Sequence, residues 1–183
     1  MIYRVFVWTT LLLAIQTHAY IYNDSLLLIY AKIVPKVMVL DHTTHQNGQN
    51  PKRLCILYEK GDRRVAKQLA NMIEKNMAAD RKNRIRIEIL RYERTSLCKR
   101  DVSAFLLLKT DLKRLRRAID YAIKNHLLTF AYDRTMLRYG AAISIYPGKK
   151  VYPVINIEAV KKGKLQLDPF LLQIAKLYDE DAS

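Results

Sequence analysis

Two cysteines are the residues of this 183-residue sequence whose type and number most directly suggest specific chemistry. Cys55 and Cys98 are separated by 43 positions. An even cysteine count favours a disulfide if the chain is exported to an oxidising compartment. Closing a loop of this length contributes about 4 kcal/mol in the chain-entropy account. Two separate buried thiols are the alternative.

The run Asp41–His45 contains two histidines and an aspartate, which is the one grouping that suggests a metal. Its spacing fits no established zinc pattern, so we interpret residues 41–52 as a polar, solvated loop and predict no metal and no cofactor. Gly61-Asp62 follows an apolar run as in the first turn of a nucleotide-binding fold, but no glycine-rich phosphate motif follows. We expect an ordinary turn in which Asp62 caps the next helix.

No motif pairs a nucleophile with a base, so no catalytic residue is predicted, although a triad formed only in space stays open. The chain is strongly basic, with a formal charge of +15. Lys113, Arg114 and Arg117 share one face of a predicted helix and are weak candidates for partner binding. The alternative is that they form only the solvated face of that helix.

The N-terminus indicates the compartment. Arg4 precedes an apolar run from Val5 to Ile15, and Thr17-His18-Ala19 resembles a cleavage site. This layout is typical of a secretory signal peptide at residues 1–19, followed by a single domain at 20–183. The run is shorter than the ~20 residues that span a bilayer, and an uncleaved anchor is the alternative. Export argues against nucleic acid as the partner of the basic surface.

Hydrophobic periodicity predicts alternating helices and strands. A helix capped by Asn23 or Asp24 contains Pro35, which should kink it or end its first part. Strict alternation over 84–90 predicts a half-exposed edge strand, and apolar runs at 54–58, 102–108 and 127–132 predict buried strands. Helices between these strands imply parallel pairing.

The stretch 139–178 changes this rhythm. Pro147-Gly148-Lys149-Lys150 separates two strand-like segments and predicts an antiparallel hairpin, which Pro153 places at an edge or a bulge. Asp168-Pro169 then opens a closing amphipathic helix that continues to Tyr178. The fold class is therefore α/β: a three-layer, mixed but mainly parallel sheet with helices on both faces, a C-terminal antiparallel hairpin and a closing helix.

Several segments together resemble the YfiR family of exported α/β proteins. They are RLCILYEKGD, SLCKRDVSAFLLLK, Gly140 with the strand after it, and VINIEAVKKGKLQLDPFLLQIAKL. Three features depart from the family pattern. Met38-Val39-Leu40-Asp41 replaces a Trp-Pro, the paired glycines are reduced to Tyr139-Gly140, and Pro153 interrupts the hairpin.

The resemblance implies a non-catalytic periplasmic regulator that binds the sensory domain of a membrane diguanylate cyclase, holds that enzyme inactive and forms dimers. It also implies that Cys55 and Cys98 are the matching disulfide pair, without the family's additional cysteines. A periplasmic solute-binding protein with a ligand at the carboxyl end of the sheet is the alternative function. An enzyme ranks third.

Overall fold

The computed structural model describes residues 20–43, 52–78, 85–98 and 101–179 of the chain. The predicted signal peptide and His45 lie outside these residues. Among the described residues the helices are α1 (Asp24–Val39), α2 (Arg63–Met77), α3 (Leu112–Lys124), α4 (Ile157–Lys162) and α5 (Pro169–Ile174). The strands are β1 (Lys52–Tyr58), β2 (Ile85–Arg91), β3 (Ala104–Leu107), β4 (Leu128–Ala131), β5 (Ile143–Pro147), β6 (Val151–Ile155) and β7 (Lys176–Leu177).

The strands form one mixed sheet in the order β2-β1-β3-β4-β5-β6-β7. The first five strands in this order are parallel, β5 and β6 pair antiparallel, and β7 runs parallel to β6. This arrangement confirms the predicted fold class, including the C-terminal hairpin. β2 is an edge strand as its alternation predicted, and β3 is central and fully buried.

Helices cover both faces of the sheet. On one face, α1 and α2 pack over a core that includes Tyr30, Ile56 and Leu69. On the other face, α3 packs over a second core that includes Phe105 and both cysteines. The sheet separates the two cores because successive side chains of a strand point to opposite faces. Three layers result, with the buried strands β1, β3 and β4 between the helices.

The C-terminal region differs in detail from the sequence prediction. Asn156 caps α4, a helix that the sequence did not predict, and its Oδ1 accepts from the Ala159 amide at 3.0 Å. Asp168 caps α5 as expected, but this helix ends at Ile174 instead of continuing to Tyr178. Residues 176–177 form β7, because their backbone pairs with β6.

Pro35 lies buried inside α1, which continues to Val39, so the proline does not end the helix. The alternative of a kink at Pro35 stays a prediction. A second prediction was wrong at its two ends. The predicted solvated loop 41–52 is anchored at both described ends. Asp41 is buried, and its backbone forms an isolated antiparallel β-bridge with Leu167. Lys52 begins β1 and is only 8% exposed.

Candidate functional site

The carboxyl ends of the parallel strands form the edge at which α/β sheets bind ligands. β1 lies between β2 and β3, so the chain passes from β1 to β2 on one side and then returns to β3 on the other side of β1. A crevice opens at such a reversal point. The space beyond the ends of β1 and β3 is therefore where a ligand site is expected in this fold.

Tyr22, from the segment before α1, bridges the two strand ends at this position. Its hydroxyl donates to Asp62 Oδ2 at 2.8 Å, just beyond β1. The same hydroxyl accepts from the Lys109 amide at 3.0 Å, just beyond β3. Burial raises the pKa of Tyr22, and the hydrogen bond to Asp62 raises it further. The chain itself thus occupies the position of a crevice ligand.

Asp62 was predicted to cap α2, but its side chain forms no capping bond to that helix. Instead Oδ1 accepts from the Tyr20 backbone nitrogen at 3.2 Å, while Oδ2 accepts from Tyr22. The residue is 1% exposed. Burial raises the pKa of this carboxyl, and the two hydrogen bonds oppose that shift. Asp62 therefore fixes the N-terminal segment.

A second polar junction continues the same edge towards β5. The Asn23 amide donates to the Tyr132 hydroxyl at 2.9 Å. The buried Tyr30 hydroxyl hydrogen-bonds the Ala131 carbonyl and lies 3.1 Å from Ser144 Oγ. Burial of these rings raises the pKa of both tyrosines. The first half of α1 and the residue before it are thus fixed to the end of β4 and to the beginning of β5.

Arg114, one of the three predicted partner-binding residues, forms ion pairs with carboxylates of the same chain. Its Nε lies 3.2 Å from Glu93 Oε1 and 3.7 Å from Glu59 Oε1, and its Nη1 contacts Asp111. The other two candidates, Lys113 and Arg117, lie exposed on the surface of α3. The structure therefore separates Arg114, which has carboxylate partners, from two cations that face solvent.

A cavity of about 500 Å³ opens beside Tyr22. Tyr22, Tyr132 and Tyr146 contribute aromatic surface to its wall, and Lys109 and Arg134 contribute positive charge. Asp133 Oδ2 lies 4.0 Å from Lys109 Nζ. Three rings and two cations form a lining that is suited to an apolar or aromatic group with an acidic substituent.

The two predicted disulfide residues lie together in the second core, on the sheet face that α3 covers. Cys55 and Cys98 are both buried, and their Sγ atoms are 3.1 Å apart as thiols. The hydrogen bond with Cys98 raises the pKa of the Cys55 thiol, and burial raises it further. In the reduced protein Cys55 is therefore held as a thiol, not as a reactive thiolate.

The described part of the chain contains no cluster of three or more His, Cys, Asp or Glu side chains that could hold a metal ion. His42 instead pairs with Asp168, with Nε2 and Oδ2 3.0 Å apart. No helix within the described ranges is long and apolar enough to cross a membrane.

Comparison with known proteins places this architecture in a family. A model of the YfiR/HmsC-like family matches residues 38–176. The chain belongs to this family. The match includes both cysteines, Asp62 and the sheet from β1 to the first residue of β7. A comparison with curated proteins finds no match.

Solved structures share the fold of this YfiR/HmsC-like chain. A conserved domain protein from Vibrio cholerae O1 biovar eltor matches with a TM-score of 0.60 and 12% identity, over 84% of this chain and 60% of that one. The ABC domain from Streptococcus pneumonia, in complex with L-Trp, matches with a TM-score of 0.56 and 10% identity, over 79% and 61%. The chain thus spans about three-fifths of the length of each.

The sequence did not reveal the residues that build the carboxyl edge. Asp62 was interpreted as a local cap, and Tyr22 and Tyr132 belong to no motif that the sequence analysis identified. Their contacts join positions 40 and 109 residues apart, so no spacing rule could find them. One signal was present in retrospect, because Asp62 directly follows the turn after a buried strand, at the edge where α/β folds place their sites.

Proposed function

We propose that this YfiR/HmsC-like protein is a non-catalytic periplasmic regulator that binds the periplasmic domain of a membrane signalling protein such as a diguanylate cyclase. The family match over residues 38–176 carries this proposal. Export after cleavage of the leader at Ala19 is part of it. The bound regulator would favour one conformation of its partner and so shift the partner's population towards that state.

The exposed cations of α3 are the docking face that we propose for this partner. Lys113 and Arg117 face solvent, whereas Arg114 is already paired with carboxylates. Complementary charge across an interface raises the rate of association and fixes its register. An acidic surface on the partner's periplasmic domain is the matching chemistry.

Reversing both charges tests this face. Lys113→Glu combined with Arg117→Glu should weaken binding to the purified periplasmic domain roughly tenfold, equivalent to about 1.4 kcal/mol. Lys149→Glu with Lys150→Glu is the matched control, since both lysines are exposed on the β5–β6 turn and the charge change is the same. Equal weakening by both pairs would show a general charge effect and no α3 interface.

The partner itself is tested by capture from envelope extract. Exported protein with an affinity tag should enrich a membrane cyclase or sensor, and adding it should lower cyclase activity in those membranes. Repeated capture without any such membrane protein would contradict the proposed function.

Sedimentation of the purified, exported protein measures whether it forms the homodimer that the family resemblance suggests.

We also propose that Cys55 and Cys98 form a disulfide in the exported protein. Their Sγ atoms are already 3.1 Å apart, so a small movement brings them to bonding distance. Cys98→Ser should lower the free energy of unfolding by about 4 kcal/mol under oxidising conditions. Mass spectrometry without reductant reads the bridge directly, and two free thiols in exported protein would rule it out.

Binding of a small ligand is the second candidate function, favoured by the cavity beside Tyr22. A neighbour with the same fold was solved in complex with L-Trp, and the cavity here offers three tyrosines and two cations. A screen of aromatic amino acids should then raise the melting temperature of the wild type and not of an Arg134→Ala variant. No shift with any of them would remove this candidate.

A further inference from the structure

Asp62 is a buried carboxylate with no cationic partner among the described residues. It is 1% exposed, and none of the ion pairs in the described ranges includes it. Its two hydrogen-bond donors, the Tyr20 amide and the Tyr22 hydroxyl, are both neutral. A buried charge is costly unless it is paired, so this site is electrostatically incomplete.

The surroundings of Tyr20 are rich in negative charge, although the chain as a whole is strongly basic. Burial raises the pKa of the Tyr20 hydroxyl, and Glu59, Asp111 and Asp62 each raise it further. Arg114 opposes this effect, but it already has carboxylate partners. These effects act on the Tyr20 hydroxyl; at the Tyr20 nitrogen the nearby negative charge is Asp62, whose Oδ1 lies 3.2 Å away.

The position of Tyr20 connects this site with the leader. Thr17-His18-Ala19 is the predicted cleavage signal, so Tyr20 is the residue whose nitrogen becomes the new N-terminus. That nitrogen lies 3.2 Å from Asp62 Oδ1. In the uncleaved chain it is an amide with one N–H.

We propose that Asp62 is the binding site for the α-ammonium group that leader cleavage creates at Tyr20. A leader peptidase hydrolyses the Ala19–Tyr20 bond. The hydroxyl of water goes to the Ala19 carbonyl carbon and a hydrogen goes to the Tyr20 nitrogen, which takes up one further proton at neutral pH. The ammonium then replaces a neutral donor on Asp62 with a charge-assisted hydrogen bond.

The consequence is that maturation completes the carboxyl edge of the sheet. The ammonium on Oδ1 and the Tyr22 hydroxyl on Oδ2 would hold residues 20–23 across the ends of β1 and β3. The unprocessed chain lacks the ammonium charge and therefore holds residues 20–23 less firmly. This proposal rests on the export included in the proposed function.

The full chain, exported and processed in cells, provides the test. Inserting one serine between Ala19 and Tyr20 moves the new ammonium by ~3.8 Å, the spacing of one residue. Mass spectrometry of each purified product establishes its N-terminus. The insertion should lower the melting temperature by about 3 °C when Asp62 is present. In an Asp62→Asn background the same insertion should have no effect.

Tyr22→Phe provides the matched background, because it removes the hydroxyl contact and keeps Asp62. The insertion should still lower the melting temperature there. If Asp62→Asn does not fold, the labelling rate of the N-terminal amine by an acylating reagent decides. Labelling should be several-fold slower in the wild type than in the insertion variant.

Three results would overturn the proposal: an N-terminus other than Tyr20 in the wild type, an equal effect of the insertion with and without Asp62, or equal labelling rates. None of them affects the proposed partner, since capture of a membrane cyclase is measured separately. Conversely, an intact ammonium–Asp62 contact without partner binding would contradict only the proposed regulatory function.

Discussion

Lys52 and Asp62 are buried charges at opposite edges of the same sheet. Lys52 begins β1, and its Nζ donates to the Met38 and Asp41 carbonyls at the end of α1. Asp62 lies beyond the carboxyl end of β1 and immediately before α2. Each charge therefore lies at the helix end whose dipole favours it, a cation at a C-terminus and an anion at an N-terminus.

The difference between the two sites is the presence of an opposite charge. Burial lowers the pKa of Lys52, but Asp41 opposes that shift by its negative charge. Burial raises the pKa of Asp62, and only neutral hydrogen bonds oppose it. The amino edge is thus electrically complete within the described residues. In our proposal, the carboxyl edge acquires its cation when the leader is cleaved.

Removing the charge at the complete site should have the largest effect. Lys52→Met would leave two carbonyls and the Asp41 carboxylate without their buried cation, so we expect unfolding in urea to require about 3 kcal/mol less. Lys32→Met is the control, because Lys32 lies exposed on α1. Losses of similar size in both variants would show that Lys52 is not specially stabilising.

Removing one neutral donor at the incomplete site should cost less. Tyr22→Phe leaves the Lys109 amide without its acceptor and Asp62 without a donor, which predicts a loss of about 1.5 kcal/mol in the free energy of unfolding. Tyr146→Phe is the matched control on a partly exposed ring. If both variants unfold at the same urea concentration, Tyr22 does not hold the carboxyl edge together.

The elements of this fold could be predicted because they follow from local patterns. The alternation over residues 84–90 identified the edge strand β2, and Asn23, one of the two predicted candidates, caps α1. In each case the evidence lies within a few residues of the element. The hydrophobic pattern of a strand or helix reports which face it buries, and the parallel sheet follows from the order of elements.

The site could not be predicted, because its contacts are non-local. Asp62 has the residue type and the position of a helix cap. Its carboxylate nevertheless accepts hydrogen bonds from Tyr20 and Tyr22, which lie 42 and 40 positions earlier in the chain. The end of the chain shows the same effect: residues 176–177 continue a helical pattern, but pairing with β6 makes them a strand. Tertiary partners override local preference at both places.

The pH dependence of the Asp62 carboxyl distinguishes a complete from an incomplete site. While Tyr20 carries an amide nitrogen, burial holds the pKa of Asp62 above 3.8. The folded state then binds the proton more tightly than the unfolded state, so stability falls as the pH rises from 3.8 to the raised pKa. An ammonium at Tyr20 would reverse this sign by placing the folded pKa below 3.8. Stability would then be gained above 3.8 and lost as the pH falls through the depressed pKa.

The most direct measurement is an NMR titration of the Asp62 carboxyl carbon in processed, exported protein. Tyr22 bonds to this carboxyl, and Glu59, Asp111 and Arg114 act on the neighbouring Tyr20 hydroxyl; the serine insertion variant keeps all of these residues. We predict a pKa below 3.8 in the wild type and above 3.8 in the insertion variant. A pKa above 3.8 in both proteins would contradict the assignment of Asp62 as the binding site of the new N-terminus.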